Sequence, residues 1–227
     1  MAHEITAARA VFTANGKAAE GYLAQPVGVT NAPALVLIQE WWGLNRHIED
    51  IAERYAREGH IVAAVDLYDG VVTKDATEAG KLMSGLNPQT ALDKLSTAIA
   101  YLRAQPNVTA VGVTGFCMGG VYTLLAACHN QVEAAAPFYG IPDDLSVLAK
   151  LSCPVLFIGG AKDQWITVEK MNKLDAALKQ YGKAGEVKMY ADADHAFFND
   201  TRPEVYHAAD AADAWQSVLT FFGQHLR

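Results

Sequence analysis

Three things are scarce in this chain of 227 residues: cysteine, positive charge and long apolar runs. There are 3 cysteines, Cys117, Cys128 and Cys153. They are too few and too irregular for a disulfide framework or a zinc cluster, so at least one thiol is free. Free cysteines are mostly small buried hydrophobes, and Cys128 and Cys153 read that way. Lys and Arg number 18 against 25 Asp and Glu, a formal charge of -7. Phosphate backbones need clustered cations, so nucleic acid is excluded as the main partner. A small anionic substrate needs only one or two local cations and stays open. No apolar run approaches the ~20 residues that span a bilayer. The first residues, "MAHEITAARAVF", hold no apolar signal core. The expectation is a cytoplasmic protein with no membrane contact.

What is plentiful is apolar: 51% of residues are hydrophobic and 19% charged, enough for a large core. The length fits one domain over 1–227. "ARAVFTANGKAAEGYLAQP" reads as a hairpin turning at Asn15-Gly16. Strand-like runs then alternate with helical periodicity. "APALVLIQE", "HIVAAVDLY", "VTAVGVTGF", "EAAAPFYG", "CPVLFIGG" and "EVKMYADADH" are the strands. "RHIEDIAERYAREG", "TEAGKLMSGL", "NPQTALDKLSTAIAYLRAQP", Met118 to His129, "TVEKMNKLDAALKQYG" and Glu204 to Leu226 are the helices. Such alternation gives an α/β fold, a mostly parallel sheet with helices on both faces. The first hairpin adds an antiparallel edge.

In open parallel sheets, function collects at the carboxyl ends of strands. Four reactive residues follow strand runs directly: Glu40, Cys117, Asp163 and His195. They share one rim. "GFCMGG", Gly115 to Gly120, has the G-x-C-x-G form of a nucleophile elbow with cysteine in place of serine. Gly115 and Gly119 give the sharp turn room, and Gly120 lets the following helix approach the sheet. The elbow puts Cys117 at a helix N-terminus, which favours a negative charge, and aims the Met118 amide at an oxyanion. The chain order nucleophile, acid, histidine is that of α/β-hydrolases. Asp192 and Asp194 compete with Asp163 as orienter of His195; turn capping is their other role. Trp41, Trp42, Phe197, Phe198 and Met83 could line an apolar pocket or belong to the core.

The chain resembles the dienelactone hydrolase family, a cysteine branch of the α/β-hydrolases. The resemblance is carried in order by "VLIQEWWGLNRHIEDIAERYAREGHIVAAVDLY", "GVTGFCMGG", "PFYG", "PVLFIGGAKDQWI" and "DADHAFFND". It implies Cys117 as nucleophile, His195 as base and Asp163 as its orienter. It further implies Glu40 as a carboxylate that exchanges a proton with the nucleophile, its other role being a loop salt bridge to Arg46. Trp41 would supply a second oxyanion N–H, and Tyr139 would line the pocket beside Trp42 and Phe197. Two arginines that hold the substrate carboxylate in the family are missing here: their places fall at Ala76 and Asn199. Lys74, Lys81 or Arg202 could substitute, Arg202 foremost, being seven residues past His195 at a helix start; it could equally be a surface charge before Pro203. The expected activity is hydrolysis of an activated ester or lactone, by a monomer, with no metal or organic cofactor. The rival is a redox thiol sensor or ligand-binding module built around Cys117.

Overall fold

The computed structural model describes residues 2–227. Eight strands form one sheet: β1 (Ile5–Ala14), β2 (Lys17–Pro26), β3 (Ala32–Ile38), β4 (Ile61–Val65), β5 (Val108–Phe116), β6 (Ala134–Phe138), β7 (Val155–Gly160) and β8 (Gly185–Tyr190). Their order across the sheet is β1-β2-β4-β3-β5-β6-β7-β8. β1 and β2 are antiparallel, as are β2 and β4; every later pairing is parallel. At the hairpin, Asn15 and Gly16 have φ of 50° and 74°. Two left-handed residues make the turn whose twist suits a two-residue hairpin.

Six α-helices cover the sheet: α1 (Arg46–Arg57), α2 (Ala76–Gly85), α3 (Pro88–Arg103), α4 (Met118–His129), α5 (Val168–Gln180) and α6 (Ala208–His225). Side chains of β3 show why its sequence is apolar throughout. Ala34, Val36 and Ile38 enter the core shared with α3, α4 and α5. Leu35 and Leu37 enter the core shared with α1 and α6. A strand covered on both faces has no polar side to present. The start of α3 follows from Asn87, whose side chain accepts from the Thr90 amide at 3.0 Å, with Pro88 in the first turn.

One boundary differs from the sequence expectation. The closing helix begins at Ala208, not Glu204. Residues 196–207 instead form successive turns, and the His207 amide reaches back to the Phe197 carbonyl at 3.0 Å. Those backbone groups are committed to the loop that carries His195, so the helix starts after it. Among the described residues no helix is long and apolar enough to cross a membrane.

Candidate active site

The parallel register brings the strand ends to one rim, pairing Ile38 with Gly115, Phe116 with Phe138, and Gly160 with Tyr190. Glu40, Cys117, Tyr139, Asp163 and His195 all lie just beyond these ends. Cys117 has φ 56° and ψ -116°, an uncommon conformation for a side chain with a Cβ. Its surroundings enforce the turn. A Cβ on Gly119 would strike the carbonyl oxygens of Ile38 and Gln39, and one on Gly120 the carbonyl of Phe138. A Cβ on Gly115 would sit 2.8 Å from the Ile38 Cβ. Among the described residues five non-glycines have positive φ, and three of them are Cys117, Tyr139 and Ala196, the last beside His195. Backbone strain of this kind costs about 1–3 kcal/mol per residue and clusters at functional sites. The Met118 and Trp41 amides make no backbone hydrogen bond, so both are free to donate.

Asp163 is buried. Its Oδ1 accepts from the amides of Trp165 at 2.8 Å and Ile166 at 2.9 Å. Its Oδ2 accepts from His195 Nδ1 at 2.6 Å. Asp192 instead pairs with Lys162 at 2.9 Å on the surface, and Asp194 is exposed, so neither orients His195. Burial pushes the His195 imidazole towards its neutral form. Hydrogen bonding to Asp163 and the presence of Cys117 overcome this and lift its pKa to about 10. The ring lies 5.1 Å from Tyr139 and 4.9 Å, edge-on, from Trp165.

Glu40 is 1% exposed, and burial raises its pKa. Its Oε2 accepts from Asn199 Nδ2 at 2.7 Å. It makes no salt bridge to Arg46, which pairs with Glu49 and Glu53. Asn199 therefore has a partner where sequence matching suggested only a missing arginine. The other such place, Ala76, opens α2 and is exposed.

A cleft of about 470 Å³ is lined among others by Trp42, Arg46, His47, Lys74, Asn199 and Arg202; it meets the rim through Asn199, the partner of Glu40, while Cys117, Asp163 and His195 do not line it. The Arg202 guanidinium sits over the Trp42 ring at 5.8 Å and bonds Glu204 at 2.8 Å. Lys81 is exposed and lines no part of this cleft. Arg202 belongs to the turns before α6, so the expectation of a helix start there is corrected. Two pocket expectations need correcting as well. Phe197 is fully buried against Tyr139 and Tyr190 and offers no free surface. Tyr139 is also fully covered, its hydroxyl without a partner, so it backs His195 from within. A depression of about 540 Å³ between β7, β8 and α6 contains none of the rim residues.

Three neighbours were not singled out from the sequence. Trp165 stands two residues past Asp163 and shields His195. Tyr68 donates from its hydroxyl to Met118 Sδ at 3.1 Å beneath the elbow. His47 is buried at the cleft with neither ring nitrogen hydrogen-bonded. Trp165 had a usable signal, its place on the Asp163 loop; the other two are fixed only by tertiary packing.

This sheet order, with a strained strand-to-helix turn after β5 and a histidine after the last strand, defines an α/β-hydrolase. Within that class the chain belongs to the dienelactone hydrolase family, whose sequence model matches residues 19–226, and it is a hydrolase. It is 32% identical to "Protein usf" of Aquifex pyrophilus over 95% of this chain and 97% of that one. It is 35% identical to a protein of Synechocystis sp. provisionally named a carboxymethylenebutenolidase, over 91% of this chain and 92% of that one. A crystal structure from Klebsiella pneumoniae, provisionally named a dienelactone hydrolase, superposes with a TM-score of 0.90 at 30% identity, covering 98% of this chain and 100% of that one.

Proposed function

We propose that the protein hydrolyses activated esters or lactones of the dienelactone (carboxymethylenebutenolide) type through Cys117, His195 and Asp163. The observation that carries this reading is the His195–Asp163 bond of 2.6 Å beside a cysteine on a strained elbow. The family and the names of its relatives support this choice of substrate class.

Cys117 loses its proton to Glu40: the S–H bond breaks, a carboxyl O–H bond forms, and the electron pair stays on sulfur. The thiolate attacks the carbonyl carbon, and the amides of Met118 and Trp41 hold the oxyanion. Charged His195 gives its proton to the departing oxygen, leaving a thioacyl enzyme. Neutral His195 then takes a proton from water as the hydroxide adds, and collapse releases the carboxylic acid and the thiolate, which recovers its proton from Glu40. Because the first adduct must expel oxygen in preference to sulfur, an enol lactone or aryl ester suits this site better than an alkyl ester or amide. Trp42 flanks the reacting group, and Arg202 with Lys74 meets an anionic substituent in the cleft. The chain works in the aqueous cytoplasm, needs no cofactor and acts as a monomeric single domain.

Cys117→Ala tests the reading. Activity on p-nitrophenyl acetate and on a dienelactone should fall by roughly three orders of magnitude or more. Retained activity in a folded variant would overturn it.

A further inference from the structure

Asn199 and Glu40 are 159 positions apart in the chain, each 1% exposed, and joined by one hydrogen bond of 2.7 Å. The orientation of the Asn199 amide is fixed from its other end. Its Oδ1 accepts from the Thr201 amide at 3.1 Å and from Thr201 Oγ1 at 2.7 Å. Oxygen therefore faces Thr201, and the NH2 group must face Glu40. Asn199 can donate to a carboxylate in this setting and cannot accept from a protonated one through the same atom.

The groups around Glu40 come from three places on the rim. His195 and Arg202, on the loop after β8, both favour its charged form. Tyr139 at the end of β6 approaches from the core with its hydroxyl unpaired. Cys117, on the elbow, is close enough for its charge to act on that same tyrosine. Among these, Asn199 is the group that bonds the carboxylate directly. It is neutral, so it steers Glu40 without cancelling its charge.

We propose that Asn199 is a positioning residue for Glu40, holding its carboxylate in the place and charge state from which it takes the Cys117 proton. The transfer is the one written above: S–H breaks, carboxyl O–H forms, and the electron pair remains on sulfur. This inference rests on the assignment of Glu40 in the proposed function. It makes Asn199 a replacement with a task of its own, acting on the nucleophile through Glu40 and not on the substrate.

The test follows alkylation of Cys117 by iodoacetamide across pH, which needs no turnover. Loss of the Asn199 donor destabilises the Glu40 carboxylate, so its proton is retained to higher pH. In Asn199→Ala the acid limb of the alkylation profile moves to higher pH, and the rate at a fixed pH on that limb falls about tenfold. In a Glu40→Gln background the same change has no effect on the profile. Thr201→Ala, at an exposed position, removes the hydroxyl bond to Asn199 Oδ1 and leaves the backbone one, so it gives a smaller shift of the same sign, which covers the case of an unfolded Asn199→Ala. If folded Asn199→Ala and Thr201→Ala keep the wild-type limb while Glu40→Gln alters it, the inference is overturned and the role of Glu40 stands. If Glu40→Gln itself leaves the limb in place, the assignment of Glu40 fails and the inference with it.

Discussion

His195 is a residue on which opposing forces act, and their balance decides how it can serve. Burial alone would keep the ring neutral, yet Asp163 and Cys117 together raise its pKa to about 10. Facing a Cys117 thiolate, the imidazole carries a proton at neutral pH, which under the proposed mechanism suits it to protonate a departing oxygen before it acts as a base. Cys117→Ala removes one of the two groups that hold this proton and leaves Asp163 in place. The His195 titration, followed by imidazole NMR, should therefore move down from about 10; an unchanged midpoint would mean that Asp163 holds the proton alone. Much at this scale was legible in the sequence. Glycines two positions either side of Cys117 announce a turn too tight for a Cβ, and Asp163 and His195 follow their strands directly. Phe197 and Asn199 were not legible: a phenylalanine near a histidine reads alike whether it faces a cleft or a core. An asparagine bonded across 159 positions leaves no local mark.

At the scale of elements, the junction of α1 and β4 carries a consequence for stability. His60 lies there, 7% exposed, its Nδ1 directed at the Tyr55 carbonyl at 3.3 Å and its ring against Tyr55 and Phe222 of α6. Burial lowers its pKa to about 4, from about 6.5 when unfolded. Between these values the unfolded chain binds the proton and the folded chain does not. The folded state is thus fully favoured above about pH 6.5 and loses up to about 3 kcal/mol as pH falls through about 4. Urea unfolding at about pH 7 and about pH 4.5 should show a smaller loss in His60→Gln than in wild type; equal losses would contradict this. Element types were readable because apolar runs of strand length alternate with helical spacing. The start of α6 was misread because Glu204 to His207 have ordinary helical composition, and only the His207 bond to Phe197 commits them to the loop.

For the molecule as a whole, the sheet is a device for bringing together parts of the chain that are distant in sequence. Crossovers through α3, α4 and the short 3-10 helix Leu145–Lys150 set the ends of β3, β5, β6 and β7 side by side, and strain collects there at Cys117 and Tyr139. The mostly parallel sheet followed from the alternation of strands and helices; the order of its strands was not read from the sequence. Nor was the composition of the cleft, because Trp42, Lys74 and Arg202 meet through three separate loops. The central claim, that Cys117 carries the acyl group, is tested most directly by weighing the enzyme during turnover. p-Nitrophenolate leaves without help from an acid, so His195→Ala should still acylate while water attack slows. Acid-quenched His195→Ala with p-nitrophenyl acetate should show the mass of one acetyl group, on the peptide that contains Cys117. An acetyl group on another residue, or hydrolysis by the wild-type enzyme with Cys117 never acylated, would contradict the account.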